Sequence, residues 1–237
     1  MSAPIDELIA ELRCGDKPWL LLFDIDGTLV DTGGKGMSAL RKTAAEVFGG
    51  DGPPLDLAGS TDLGIIENLY VHFELEATDE QTHQFFEAYH RHLETSLKSN
   101  PAEGRVLDGV VELLEELAET DHAQLGLLTG NTSLGAAIKL QYYGLDKHFE
   151  FGAYGSDRAD RNLLGHLALE RALAFTGRKY SAENTLIIGD TPKDIACAHA
   201  IGARCLAVAT GSFNAEQLEA AGADWVLGSL RELSASS

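Results

Sequence analysis

The chain has 237 residues, 44% of them hydrophobic, enough for one large α/β domain or a core with a small second unit, and unlike a fibrous or disordered composition. Its 37 acidic and 18 basic residues give a formal net charge of -19. With no Lys/Arg cluster to follow a phosphate backbone, nucleic acid and anionic membrane surfaces are excluded as expected partners, whereas a small anionic substrate is not, because a bound divalent cation reverses the sign locally.

The N-terminal stretch carries acidic residues and no apolar run, so it is not a signal peptide, and Ile5–Arg13 reads as a short helix. Pro18 precedes Trp19–Ile25, apolar apart from Asp24, which predicts a central strand covered on both faces and is too short to span a membrane. Gly27 breaks it. A different texture runs from about Gly33 to Pro101: Met37–Phe48, Asp62–Phe73 and Asp79–Lys98 all carry helical spacing, separated by Gly- and Pro-containing links, with no buried strand among them. The pattern predicts an inserted helical unit of roughly seventy residues, 33–100, between core segments 1–32 and 101–237.

Alternation then resumes. Val106–Thr120 predicts an amphipathic helix, Ala123–Leu128 a strand, Ser133–Tyr142 a helix and Phe149–Tyr154 a strand. Asn162–Thr176 predicts a helix, Thr185–Gly189 a strand, Lys193–Ile201 a helix and Arg204–Ala209 a strand. Ala215–Ala221, Trp225–Leu227 and Leu230–Leu233 close the series as helix, strand and helix. The expected fold class is α/β: a Rossmann-like parallel sheet with helices on both faces and an inserted α-helical unit. Cys14, Cys197 and Cys205 have no metal-type spacing and read as reduced, mostly buried thiols of a cytoplasmic protein.

In such a sheet ligands bind beyond the carboxyl ends of the strands. The first strand ends in FDIDGTL, the second in LLTGN and the fourth in GDTPKD. Three or four carboxylates and a hydroxyl therefore meet at one edge, and crowding of that kind is relieved by a hard divalent cation with oxygen ligands, Mg²⁺ before Ca²⁺. A strand-end Asp or Thr also commonly caps a turn or helix. That alternative serves any one of these residues but not Asp24, Asp26 and Asp190 together.

These motifs, in this order, resemble the haloacid dehalogenase superfamily, and the resemblance covers the whole chain, with a helical cap of the phosphoglycolate-phosphatase-like arrangement. It implies Asp24 as nucleophile and Asp26 as acid/base. Thr129 is implied to bind a phosphate oxygen, with the N–H groups of Gly130 and Asn131 beside it. Mg²⁺ is implied at Asp24, Asp190, the main-chain carbonyl of Asp26, and Asp194 directly or through water. The chain departs from the family at the third motif, usually a lysine followed by proline. Arg161 stands where that lysine is expected, at the mouth of a helix, with Arg158 as competitor. An arginine offers a bidentate fork rather than a point charge.

Gly33–Gly36 reads as hinge material, and Ala58–Asp62 as a substrate-facing loop in which Ser60 and Thr61 equally suit a helix N-cap. Lys35 reads as a solvated surface lysine, and His83, His90 and His92 as surface or satisfied histidines. The expected activity is hydrolysis of a small phosphorylated metabolite by a monomer or homodimer. The alternatives are a sugar phosphomutase of the same superfamily or a non-catalytic binding protein on this fold. A haloacid dehalogenase is disfavoured because Asp26 is present, and a phosphonate hydrolase, which would take its lysine from Lys35 or Lys42, because Asp26 is not a small residue.

Overall fold

Trp19–Phe23 forms β1, whose five side chains are all buried. Its residues alternate between two apolar layers: Trp19, Leu21 and Phe23 join one, Leu20 and Leu22 the other. A strand with no polar face has to be covered on both sides, which is why the run is uniformly apolar. The computed structural model describes residues 5–14, 18–50, 52–100, 103–120 and 122–234. The expected boundary at Pro101 and the side chain of Cys14 lie outside what is described, while Cys197 and Cys205 are free and buried thiols.

In chain order, α1 (Ile5–Cys14) precedes β1, and β2 (Val30–Asp31) leads into three helices, α2 (Lys35–Phe48), α3 (Asp62–His72) and α4 (Asp79–Ser99). Then follow β3 (Arg105–Val106), α5 (Val110–Ala118), β4 (Ala123–Thr129), α6 (Ser133–Tyr143), β5 (Gly152–Tyr154) and α7 (Leu164–Thr176). The chain continues through β6 (Thr185–Gly189), α8 (Pro192–Ala200), β7 (Arg204–Val208), α9 (Ala215–Ala220), β8 (Trp225–Leu227) and α10 (Arg231–Ser234). Six strands make one parallel sheet in the order β5-β4-β1-β6-β7-β8. The fold is the expected α/β Rossmann-like architecture. From β1 the chain builds outward through β4 and β5 on one side, then returns to lay β6, β7 and β8 on the other. The carboxyl end of β1 is therefore the switch point where such sheets bind ligands.

Helices α2, α3 and α4 share an apolar cluster of their own, with Leu40, Ile66, Leu69, Phe85, Tyr89 and Leu93 buried. Phe48 stacks on Phe73 at 4.8 Å and meets Tyr70 edge-on at 5.0 Å. Two of the three helices begin on side-chain caps: Thr61 accepts from Gly64 N at 3.1 Å to start α3, and Thr78 with Gln81 forms a capping box on α4. No helix among the described residues is long and apolar enough to cross a membrane.

Several element boundaries differ from the sequence reading. The helix expected from Val106 starts at Val110: Gly109 takes φ 83°, a left-handed conformation that ends the extended segment, and Val106 instead pairs with Val30 in the β2–β3 ribbon. That two-residue ribbon is too short to leave a period in the sequence. The strand expected over Phe149–Tyr154 contracts to Gly152–Tyr154, the three residues that pair with Leu127, Leu128 and Thr129 of β4. The helix expected from Asn162 opens with a 3₁₀ turn, Arg161–Leu163, capped by Asp160 through Asn162 N at 2.9 Å. Lys35 is not a solvated lysine: it lies in the first turn of α2, buried, and forms an ion pair with Glu103.

Candidate active site

The carboxyl ends of β1, β4 and β6 bring Asp24, Asp26, Gly130, Asn131 and Asp190 to the wall of one cavity of about 390 Å³. Arg161 completes the floor, and the residues opposite come from the helical segment: Gly36, Met37, Leu40, Leu57, Gly59, Ser60, Asp62, Ile65 and Tyr89. Thr129 and Asp194 sit behind this wall, fully buried.

Asp24, Asp190 and Asp194 each present a carboxylate oxygen within 4.8 Å of the others. The approach is close because glycines flank it. A Cβ on Gly27, at φ 80°, would stand 2.3 Å from Asp190 Oδ2, and one on Gly211 would stand 1.7 Å from the same atom. Burial pushes Asp190 up to about 9, with Asp194 and Asp24 adding to it. Burial also raises Asp24 to about 6, against the pull of Arg161 and a hydrogen bond with Thr129. Such values mark a site short of positive charge. A buried cluster of carboxylate oxygens of this kind fits a hard divalent cation.

Arg161 is the principal cation among them. Its Nη2 lies 3.5 Å from Asp24 Oδ2 and pairs closely with Asp194 Oδ1, while Nη1 donates to the carbonyl of Gly59 at 3.1 Å. Burial opposes its charge, and Asp194 and Asp24 outweigh that and raise its pKa above the ordinary arginine value. Arg158 is exposed, bonds to the Asp157 carbonyl at 2.7 Å and does not line the cavity. Asp194 is engaged at both oxygens, Oδ1 by Arg161 and Oδ2 by Thr191 Oγ1 at 2.7 Å, where it also closes the capping box of α8.

Asn131 turns its side chain toward the site rather than away. Its Nδ2 donates to Asp26 Oδ2 at 2.8 Å and to Thr129 Oγ1 at 2.9 Å. The carbonyl of Gly130 accepts from Asp62 N at 2.7 Å, and a Cβ on Gly130 would stand 1.9 Å from the Ser60 carbonyl, so only glycine admits the helical segment this close. That segment is tied down by further bonds: Thr132 N to Asp62 Oδ2 at 2.7 Å, Thr61 Oγ1 to the Ala159 carbonyl at 2.6 Å, and Lys193 Nζ to Asp56 at 2.9 Å and to Ser60 Oγ at 2.7 Å. Burial raises Asp62 to about 6. His90 bonds Thr132 Oγ1 at 2.7 Å, and His83 and His92 pair with Glu87 and Glu46.

The sequence reading missed Lys139. It is 3% exposed, reaches across from α6, and pairs with Asp26 Oδ2 at 2.6 Å. The signal was present: Gly135, Ala136, Lys139 and Leu140 form the buried face of α6, and a lysine on an apolar helix face needs an acidic partner.

The family model described as haloacid dehalogenase-like hydrolase matches residues 21–208. The chain belongs to the haloacid dehalogenase-like hydrolase family. A relative within reach of it is a 5'-nucleotidase of Pseudomonas aeruginosa, 30% identical over 210 residues, which are 84% of this chain and 86% of that protein. A phosphoglycolate phosphatase of Agrobacterium fabrum is 25% identical over 84% of each chain. Among solved structures, a hydrolase from Pseudomonas syringae superposes with a TM-score of 0.68 at 24% identity, covering 91% of this chain and 95% of that one. The haloacid dehalogenase-like fold and hydrolase class follow.

Proposed function

We propose that this hydrolase is a Mg²⁺-dependent phosphatase that cleaves a small phosphate monoester through an aspartyl-phosphate on Asp24. The observation that carries the reading is Asp24 itself: a buried carboxylate on the cavity wall, 3.5 Å from a guanidinium and grouped with two further carboxylates whose oxygens lie within 4.8 Å. Asp24 and Asp190, with the main-chain carbonyl of Asp26, would hold the cation. Asp194, its oxygens already engaged, would contribute charge and the orientation of Arg161. Bound there, the cation supplies neutralisation of the carboxylates and polarisation of a phosphoryl oxygen.

The protein residues divide the reaction into two displacements. A carboxylate oxygen of Asp24 attacks phosphorus while the ester P–O bond breaks, and Asp26 passes its proton to the departing oxygen, which leaves as an alcohol. Water then attacks the phosphoaspartate. Asp26 takes the water's proton, the Asp24–phosphorus bond breaks, and orthophosphate leaves with the Asp24 carboxylate restored. Arg161, Gly130 and the Thr129–Asn131 pair bind and orient the phosphoryl group, with Thr129 acting from behind the wall through Asn131 and Asp24. The helical segment serves as a cap that excludes water while the leaving group lies under Met37, Leu40, Ile65 and Tyr89.

The two curated relatives bear names for phosphate esters of very different leaving groups, a nucleoside and glycolate, so the assay is a panel. Phosphate release from nucleoside 5'-monophosphates, phosphoglycolate and sugar phosphates is measured with Mg²⁺ and with chelator. The expected outcome is Mg²⁺-dependent release from one or a few esters, lost in Asp24→Ala and kept in the surface control Glu219→Ala. No release from any ester, or release undiminished in Asp24→Ala, would overturn the reading.

A further inference from the structure

Lys139, Asp26 and Asn131 form a closed triangle at the edge of the cavity. Lys139 Nζ lies 2.6 Å from Asp26 Oδ2 and 2.6 Å from Asn131 Oδ1, and Asn131 Nδ2 lies 2.8 Å from the same Asp26 Oδ2. Both donors converge on one oxygen of the carboxylate. The other, Oδ1, accepts no hydrogen bond from the described residues, and the Asp26 side chain stays 41% exposed while its lysine partner is 3% exposed. A carboxylate held by two donors on one oxygen has lost the rotation about its Cβ–Cγ bond that would exchange its oxygens.

We infer that Lys139 is a positioning residue that fixes Asp26 with Oδ1 facing the ester oxygen and couples that orientation, through Asn131, to the residues around the phosphate. The inference rests on the proposed phosphatase reading. Lys139 needs no contact with substrate for this role. Its depth comes from packing, since α4 lies over α6 and Lys139 is on the buried face of α6. The lysine end of the pair cannot relax toward water, so packing fixes the direction from which Nζ meets the half-exposed carboxylate. With Lys139 removed, Asn131 alone retains Asp26, and Asn131 loses the donor to its own carbonyl oxygen.

The test separates proton delivery from binding. The value of kcat/KM reports only steps up to departure of the leaving group, so it is measured for wild type, Lys139→Met, Lys139→Gln and Lys139→Arg on phosphate monoesters from p-nitrophenyl to simple alkyl. A p-nitrophenolate departs without a proton, whereas an alkoxide does not. Proper placement of a general acid is worth about 10²-fold or more. The Met and Gln variants should therefore lose about 10²-fold on alkyl phosphates and less than about 10-fold on p-nitrophenyl phosphate, with the loss in kcat rather than KM. Arg should restore most of it. The Gln variant keeps the comparison available if the Met variant does not fold. Equal losses along the whole series, or a rise in KM alone, would overturn the assignment. A wild type that cleaves none of the esters would instead overturn the phosphatase reading, and this inference with it.

Discussion

Replacing Asp190 by asparagine should flatten the pH dependence of the metal-free protein's stability on the alkaline side of neutrality. Asp190 is buried, and burial, then Asp194 and Asp24, lift it to about 9. In the unfolded chain it titrates near 3.8. Between those values the folded protein holds a proton that the unfolded chain has released. Stability is therefore fully present below the unfolded value and declines as pH rises toward the folded one, by about 1.4 kcal/mol per pH unit. Asp24 and Asp62, both raised to about 6, have completed most of their change by neutrality. From about pH 7 to about pH 8.5 the Asp190 proton thus costs about 2 kcal/mol, or about 4–8 °C in Tm for a chain of this size. Thermal unfolding followed by circular dichroism in chelator, for wild type and Asp190→Asn side by side, reads this directly. Asparagine has no proton to surrender, so the variant's Tm should fall less by that amount. The difference between the two curves cancels thiols and termini that titrate in the same window. Saturating Mg²⁺ should raise the wild-type Tm, by the equivalent of about 2.7 kcal/mol at a hundredfold excess over Kd, and leave the variant nearly unmoved. Parallel pH profiles in chelator would refute the account of Asp190, and an equal Mg²⁺ response in both proteins would remove it from the cation site.

Arg161→Ala should reduce kcat/KM by about 10³-fold and destabilise the protein by about 3 kcal/mol or more, since it strands buried carboxylates, whereas Arg158→Ala should change neither; kinetics and thermal melts on the pair decide it, and the reverse order would overturn the choice between them. Lys193→Ala removes the half-exposed bridge from α8 to Asp56 and Ser60. It should cost at most about 1 kcal/mol of stability, raise KM severalfold and leave kcat within about twofold, an outcome read from steady-state kinetics and contradicted by a loss confined to kcat.

The strand ends were legible because the relevant residues are local in sequence: Asp24 follows five apolar residues, and Asp190 follows Thr185–Gly189, so the pattern that predicts the strand also marks its carboxyl end. Arg161 was legible over Arg158 for a similar reason, since it opens the turn at the head of α7. Lys139 was hidden because its partner, Asp26, is 113 residues away. Only the burial of its helix face could have pointed to it. Lys35 was misread by the same blindness to distant partners: nothing near it in sequence announces Glu103, 68 residues on. The β2–β3 ribbon escaped because two residues per strand leave no alternation to detect.

If Arg161 serves as the third-motif cation, as the proposed reading has it, an arginine there has a physical consequence. A lysine ammonium is a compact point charge, whereas the guanidinium of Arg161 reaches in two directions at once. Its Nη2 serves Asp24 and Asp194 and its Nη1 the Gly59 carbonyl, on the loop that enters α3. On the proposed reading, one residue thereby joins the nucleophile to the cap, and it does so with Nε left without a hydrogen-bond partner in a buried place. That unsatisfied donor costs stability, against which stand the contacts of Nη1 and Nη2 with the two carboxylates and the Gly59 and Leu128 carbonyls. On the same reading, opening of the cap would remove the Gly59 contact and leave Arg161 to the carboxylates and to the Leu128 carbonyl, 3.4 Å from Nη2, so this side chain would link closure to the electrostatics at Asp24.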